Sequence, residues 1–334
     1  MTIGWYVHHQ GAGHLHRLLA TASRLDDVVG LSTLPPPPGW ADRWVRLALD
    51  LPAGEDDDPT AGGTLHWAPL GCAGLRERMA AIAGWIAAAR PAVLVVDVSV
   101  EVALLGRLLG VPTVLVAQRG LRGDEAHARA YRAASAVVAP WTAACHLPDE
   151  GPPDARLAFA GAISRFDGRP RPAPAAPGGD VLALVGSGGH ALTAADVSAA
   201  ARATPGRRWH LAGALRVPGD PLVEDHGDRA DVWSLLARCS VVVGTAGANV
   251  VAEVAAARRA FVCLPQPRPF AEQARQGEAL RRLGAAEVLE TAPAPREWPR
   301  VLAQAERRPA AAWDRLHDGR GAERLAAVVE TLCA

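Results

Sequence analysis

The stretch "VVVGTAGANVVAEVAAARRAFVCLPQPRPFAEQ", Val241–Gln273, decides how the whole chain is read. An apolar strand ends at Gly244, a turn spans Thr245–Asn249, and a helical pattern starts at Asn249. A second strand, "AFVCLPQ", runs into a proline-rich loop that delivers Glu272 and Gln273. Strand, helix and strand in succession imply a parallel pair with a crossover helix, and ligands of such sheets bind beyond the strands' carboxyl ends. The residues just after each strand therefore matter most. Here the turn, with Gly247, Ala248 and Asn249, offers backbone amides at a helix N-terminus, which favour an anion. Glu253, one turn into the helix, can hold a diol, and Glu272 and Gln273 can accept further hydroxyls. Diphosphate, ribose and sugar would suit that set.

Working outward, the same alternation fills the rest of the second half. It runs through "VLALVGSGG", a helix from Ala194, "RRWHLAGA", a helix at Asp231–Arg238, and, past the opening stretch, "AAEVLE". The first half repeats the scheme, with strands at Ile3–His8, Val28–Ser32, Trp44–Leu49, Val93–Val98, Thr113–Ala117 and Ala136–Ala139. Helices are expected at Leu15–Leu25, Leu75–Ala89, Val100–Leu109 and Glu125–Ala134. "PAVLVVDV" is apolar on both faces, as a central parallel strand is. Between the halves, prolines and glycines crowd "RFDGRPRPAPAAPGGD", which reads as a linker. The reading is thus α/β, with two Rossmann-like domains facing across a cleft: an N-terminal domain at 1–163, a linker at 164–179, a C-terminal domain at 180–310 and a helical tail at 311–334. The tail's stripe is Leu325, Val328, Val329 and Leu332.

Composition narrows the function. The chain has 334 residues, is 49% hydrophobic and carries no net charge, so no global field draws it to nucleic acid or an anionic membrane. All 35 basic residues are arginine, a compositional bias rather than a polyanion site. Five scattered cysteines without a CxxC pair argue for reduced thiols and a cytoplasmic protein, without a zinc site. No leader pattern opens the chain and no apolar run has the length of a membrane span.

The first half's own strand-end loops carry imidazole and carboxylate. "YVHHQGAGHLHRLLATASRL", Tyr6–Leu25, sets four histidines around a glycine turn. It is not a dinucleotide fingerprint, because His16 stands at the third glycine and no acid ends the second strand. It is not a metal site either, since His14 and His16 would splay at a turn-to-helix junction and the HExxH spacing is absent. His8 and His9, consecutive on a strand end, should point to opposite faces. His14, after Gly13 at the first turn of a helix, can move a proton near neutral pH. Asp97 follows the central strand. It can orient that imidazole, or the stretch can supply an N-cap, Asp97 or Ser99, to the helix from Val100. The stripe Leu75, Met79, Ile82, Trp85 and Ile86 reads as core, whereas His66 and Trp67, in the loop before it, are the acceptor-contact candidates.

On these residues the chain resembles the glycosyltransferases of the GT-B architecture, the MurG-like branch and the nucleoside-diphosphate-sugar transferases of natural-product pathways. T-A-G-A-N-V-V-A-E, Thr245–Glu253, resembles the nucleotide-sugar box H-C-G-W-N-S-x-x-x-E of plant members, with Gly247, Asn249 and Glu253 matching and Thr245 and Val250 departing. Glu272 and Gln273 match the family's closing acid–Gln pair that holds donor-sugar hydroxyls. Ser187, with Gly188 and Gly189 in "VGSGGH", resembles the serine loop at the diphosphate, and Arg165 in "GAISRFD" the arginine facing the donor phosphates. "GAGHLHR" resembles the family's G-H-x-x-P turn, with His14 on the base histidine, Arg17 in place of proline, and Asp97 at the orienting aspartate.

The resemblance implies transfer of a sugar from a nucleoside diphosphate sugar, a UDP-sugar by expectation, to a small-molecule or lipid acceptor. It implies an inverting, metal-independent reaction with no cofactor beyond the sugar-nucleotide co-substrate. His14 and Asp97 would be catalytic. Arg165, Ser187, Gly188, Gly189, Thr245, Gly247, Ala248, Asn249, Glu253, Glu272 and Gln273 would face the donor, and Gly13, His16, His66 and Trp67 the acceptor. The tail helix would cross back to the first domain. No nucleic-acid partner is expected, and peripheral contact with a membrane stays open. Two alternatives share the donor box: a nucleotide-sugar epimerase, and a non-catalytic nucleotide-sugar-binding protein.

Overall fold

The computed structural model describes residues 1–51, 58–151, 157–186, 192–228 and 230–333. The chain divides into two compact units, which are taken separately. The first comprises 1–140, 148–160 and 320–334; the second comprises 141–147 and 161–319.

Seven parallel strands form the sheet of the first unit: β1 Ile3–Val7, β2 Val28–Ser32, β3 Trp44–Arg46, β4 Val93–Asp97, β5 Thr113–Val116, β6 Ala136–Ala139 and β7 Leu157–Phe159. Their order is β3-β2-β1-β4-β5-β6-β7, so the connections reverse direction between β1 and β4. All five residues of β1 and of β4 are buried, as central strands covered on both faces require. The helices are α1 Gly13–Ala22, α2 Ala73–Ala89, α3 Val100–Leu108 and α4 Glu125–Ala133. On α2, Ile82 and Ile86 are buried and Trp85 lies against β1. A Cβ on Gly4 would stand 2.7 Å from the Trp85 ring, so only glycine admits that indole. The apolar stripe of α2 is therefore core. The tail helix α10, Gly321–Cys333, also belongs to this unit and packs on α1 and β4 through a buried face that includes Leu325 and Val329.

Six parallel strands form the second sheet: β8 Val181–Val185, β9 Trp209–Gly213, β10 Val223–Gly227, β11 Val241–Gly244, β12 Ala260–Cys263 and β13 Glu287–Val288. The order β10-β9-β8-β11-β12-β13 reverses between β8 and β11. Its helices are α5 Ala194–Ala203, α6 Val232–Arg238, α7 Ala248–Ala257, α8 Glu272–Leu283 and α9 Trp298–Glu306. Trp209 and Trp298 meet edge to face at 5.5 Å in the buried core of this unit. The proline-rich stretch at 164–179, expected to link two domains, lies inside the second unit and is tied to it. The buried Arg259 guanidinium donates to the carbonyls of Ala173, Leu236 and Ala237, and the Gly178 N–H donates to Glu306 at 2.9 Å. Proline removes sheet and helix pairing, but its carbonyls still accept from such donors. The chain passes between the units at 160/161 and 319/320, and briefly at 140/141 and 147/148.

Among the described residues, no helix is long and apolar enough to cross a membrane.

Candidate active site

In each sheet the strand order reverses between two central strands, β1/β4 and β8/β11, where open α/β sheets bind ligands; His14, Asp97 and the turn Thr245–Asn249 follow three of these, while His66, Trp67, Arg165, Glu272 and Gln273 follow other strands.

In the first unit, β1 and β4 pair with Val7 opposite Asp97, so the loop after β1 rises beside the carboxylate that ends β4. Gly11, at φ +79°, supplies the left-handed bend that starts the turn into α1. His14, in the first turn of α1, places Nδ1 2.9 Å from Asp97 Oδ1. Arg17, one turn on, donates through one nitrogen to both Asp97 oxygens, at 2.5 and 2.6 Å. Asp97 is fully buried. Burial pushes its carboxyl up, but the Arg17 cation and then His14 outweigh it and hold it below the usual carboxylate range. An ionised carboxylate only accepts, so His14 Nδ1 is the donor in this contact. Asp97 is not the helix cap: Ser99 accepts from the Val102 N–H at 3.2 Å and performs that task for α3. Val98, between them, holds φ +63°, a rare conformation for a β-branched residue and a local strain beside the dyad.

The reading of His8 and His9 needs correction. The strand ends at Val7, so the two residues sit in the turn and their rings stack at 4.7 Å instead of facing opposite sides. His8 also meets His14 edge-on at 5.6 Å. Burial, then the neighbouring His14 and His9, push His8 down to about 3, so it stays neutral and accepts from the Gln10 N–H. Gly13 opens α1, and His16 is partly buried on that helix.

His66 and Trp67 are held by their backbones, since both N–H groups donate to Glu101 Oε1, at 2.7 and 2.9 Å. The Trp67 indole donates to the Asp50 carbonyl. The His66 ring lines a pocket beyond β4 and β5 together with Gln118, Arg122, His127 and Tyr131. There Asp124 accepts from His127 Nδ1 at 2.7 Å, and Arg122 approaches the other ring nitrogen at 2.9 Å. Chiefly by burial, the His127 ring is held below the ordinary histidine range. Sequence reasoning missed Arg122 and His127, although "AQRGLRGDEAH" is itself a strand-end loop. It also missed Arg78, buried on α2, which donates to Tyr6 Oη and Asp50.

In the second unit, Thr245–Gly247 turns from β11 into α7. Thr245 and Ala246 are buried, Gly247 and Asn249 partly exposed, and Ala248 exposed. Gly247 is the N-cap of α7 and makes no side-chain cap bond among the described residues, and the helix presents the positive end of its dipole there. Glu253 is buried on α7, with Oε1 2.8 Å from Arg165 Nε. The two residues expected to face a donor are thus brought into contact with each other. Burial pushes the Glu253 carboxyl up, and Arg165 offsets only part of that. Gln273 Oε1 accepts from the Gln266 N–H at 3.0 Å, and its Nε2 lies 4.0 Å from where a Gly247 Cβ would sit. That amide is thus bonded to the loop after β12 and lies beside the turn after β11. Glu272 opens α8 directly after Phe270 and Ala271, at φ +58° and +53°. Ser187, Gly188 and Gly189 lie outside the described residues.

No protein-family model and no curated protein matches this chain. Solved structures do. The glycotransferase of kitacinnamycin superposes with a TM-score of 0.71 at 17% identity, over 99% of this chain and 98% of that one. MurG of Acinetobacter baumannii gives 0.63 at 15% identity, over 99% of this chain and all of that one. The spinosyn rhamnosyltransferase SpnG, solved with spinosyn aglycone, gives 0.62 at 17% identity, over 99% of this chain and all of that one. With thymidine diphosphate SpnG gives 0.56 at 18% identity, over the same shares. The fold of this chain is that of the GT-B glycosyltransferases.

Proposed function

We propose that this chain, built on the GT-B fold, is a glycosyltransferase that moves a sugar from a nucleoside diphosphate sugar to a hydroxyl-bearing small molecule or lipid. The observation that carries the reading is the His14–Asp97 contact of 2.9 Å, made between residues 83 positions apart. The dyad follows β1 and β4, where the strand order of its sheet reverses. In this reading His14 Nε2 takes the acceptor hydroxyl proton as the oxygen attacks the anomeric carbon. The bond from that carbon to the diphosphate breaks, and configuration inverts. Asp97 stabilises the imidazolium, as a buried carboxylate does in other acid–base dyads.

The donor side falls to the second unit. The N-terminus of α7 and its dipole stabilise charge growing on the departing diphosphate, which is electrostatic preorganisation without need of a metal. Glu253 accepts from the ribose hydroxyls, with Arg165 fixing its rotamer. Glu272 and the Gln273 amide accept and donate to the sugar. The nucleoside is taken as uridine from the MurG-like resemblance, and thymidine is the comparison a test must include, because SpnG was solved with thymidine diphosphate.

The reading is tested with wild type and His14→Ala against a panel of UDP- and dTDP-sugars, following thermal shift and product formation. Donors should shift the melting of both proteins equally, while only wild type transfers sugar. Full transfer by His14→Ala would reject the base, and absence of any donor-induced shift would reject the donor site.

A further inference from the structure

Far from the strand-end loops, a second constellation sits on β9 and β10. His210 is the second residue of β9 and pairs in register with Glu224 of the edge strand β10. His226 is the extra residue where that register shifts, and such a bulge re-aims a side chain. His210 Nδ1 lies 3.1 Å from His226 Nε2 and 3.3 Å from Glu224 Oε2; His226 Nε2 lies 3.6 Å from Glu224 Oε1. Tetrahedral zinc with bonds of about 2.0–2.1 Å holds its donor atoms about 3.3 Å apart. The two imidazole nitrogens and the two Glu224 oxygens thus lie at separations close to that value, and one donor atom from each residue falls within 4.8 Å of the others.

We propose that His210, Glu224 and His226 form a binding site for a divalent transition metal of the zinc class, with the remaining position taken by water. Asp180 supplies the outer support, its Oδ2 lying 2.9 Å from His210 Nε2. It accepts the Nε2 proton, fixes the tautomer and turns the Nδ1 lone pair toward the metal, the arrangement that ligating histidines use. His210 is fully buried, while Glu224 is exposed and His226 partly so, which leaves an entry path. Arg238 is the competing cation: its guanidinium stands 3.0 Å from both His210 ring nitrogens and 3.5 Å from Glu224. More than half of that side chain is exposed, so an incoming dication can displace it to solvent. Since His210 sits near the start of β9, the metal would clamp the edge strand to the sheet and serve stability rather than transfer.

The test uses the full chain, stripped with a chelator and titrated with Co(II) and Zn(II). Wild type should bind one equivalent, show the visible bands of low-coordinate Co(II), and melt several degrees higher with metal. His226→Ala and Glu224→Gln change the open rim of the site and should keep the wild-type circular dichroism while losing at least tenfold in affinity, together with the melting shift. Asp180→Asn should weaken binding by about tenfold. No stoichiometric binding by wild type, or undiminished binding by His226→Ala and Glu224→Gln, overturns the site.

Discussion

His14 and Arg17, one helical turn apart, share a single carboxylate: Asp97 meets His14 Nδ1 with one oxygen and Arg17 with both. The imidazole is thus oriented by a charge that the neighbouring guanidinium already compensates. Asp97→Asn keeps the shape but loses the charge, and its amide can present a donor to Nδ1, forcing the wrong tautomer. Transfer should fall about a hundred- to ten-thousand-fold, with donor affinity unchanged. Steady-state kinetics with separate donor titration check this.

Arg17 should matter for stability as much as for orientation. Removing one partner of a buried ion pair leaves an unpaired charge, so Arg17→Ala should cost about 3 kcal/mol in chemical denaturation. The acid limb gives the sign. The folded carboxyl of Asp97 is held below its ordinary value, so its stabilisation is present above about pH 4 and is lost as pH falls through the folded value. Without Arg17, burial prevails and the carboxyl rises. Acid unfolding of Arg17→Ala, followed by circular dichroism, should therefore begin at higher pH than in wild type.

Glu253 separates stability from function. Burial raises its carboxyl despite Arg165, so the ionised form is a cost to the fold that grows as pH rises through the folded value. Glu253→Gln should then melt at a higher temperature near pH 7, and Arg165, more than a third exposed, can turn to water. The same change removes a charged acceptor from the proposed ribose contact, worth about 1.5 kcal/mol or roughly tenfold in donor affinity. Higher melting with weaker donor binding is the expected pair; tighter donor binding would remove Glu253 from the site.

What could be read in advance follows the physics of burial. Strands β1, β4, β8 and β11 are buried throughout and stand out as apolar runs, so their loops, with His14, Asp97 and Thr245, were legible. Strand β10 was not, because "VEDHG" is an edge strand with only Val223 buried. Helix α9 was not among the expected helices; the prolines of "PREWP" stand at its entry, where proline is accepted. His8 and His9 were misread since a strand one residue shorter changes both directions. Pairings such as Arg17 with Asp97, or Arg165 with Glu253, join distant positions and carry no local periodicity. In an arginine-only chain, a functional arginine looks like any other.

Phe270 and Ala271 hold two successive left-handed residues directly before Glu272 and Gln273, and neither is glycine. A non-glycine residue there costs about 1–2 kcal/mol, and strain of this kind persists where surrounding structure enforces it. Ala271→Gly relieves one such cost but adds about 0.4–1 kcal/mol of unfolded-chain entropy. The balance favours the variant by about 0.5–1 kcal/mol, read as a higher denaturation midpoint with an unchanged slope. The relieved backbone also samples more conformations, so Glu272 and Gln273 should lose the fixed position from which, on the proposed function, they hold the donor sugar. KM for the donor should rise several-fold while binding of the bare nucleoside diphosphate stays as in wild type. Equal weakening of both ligands would mean that the turn shapes the diphosphate cradle instead of the sugar contact.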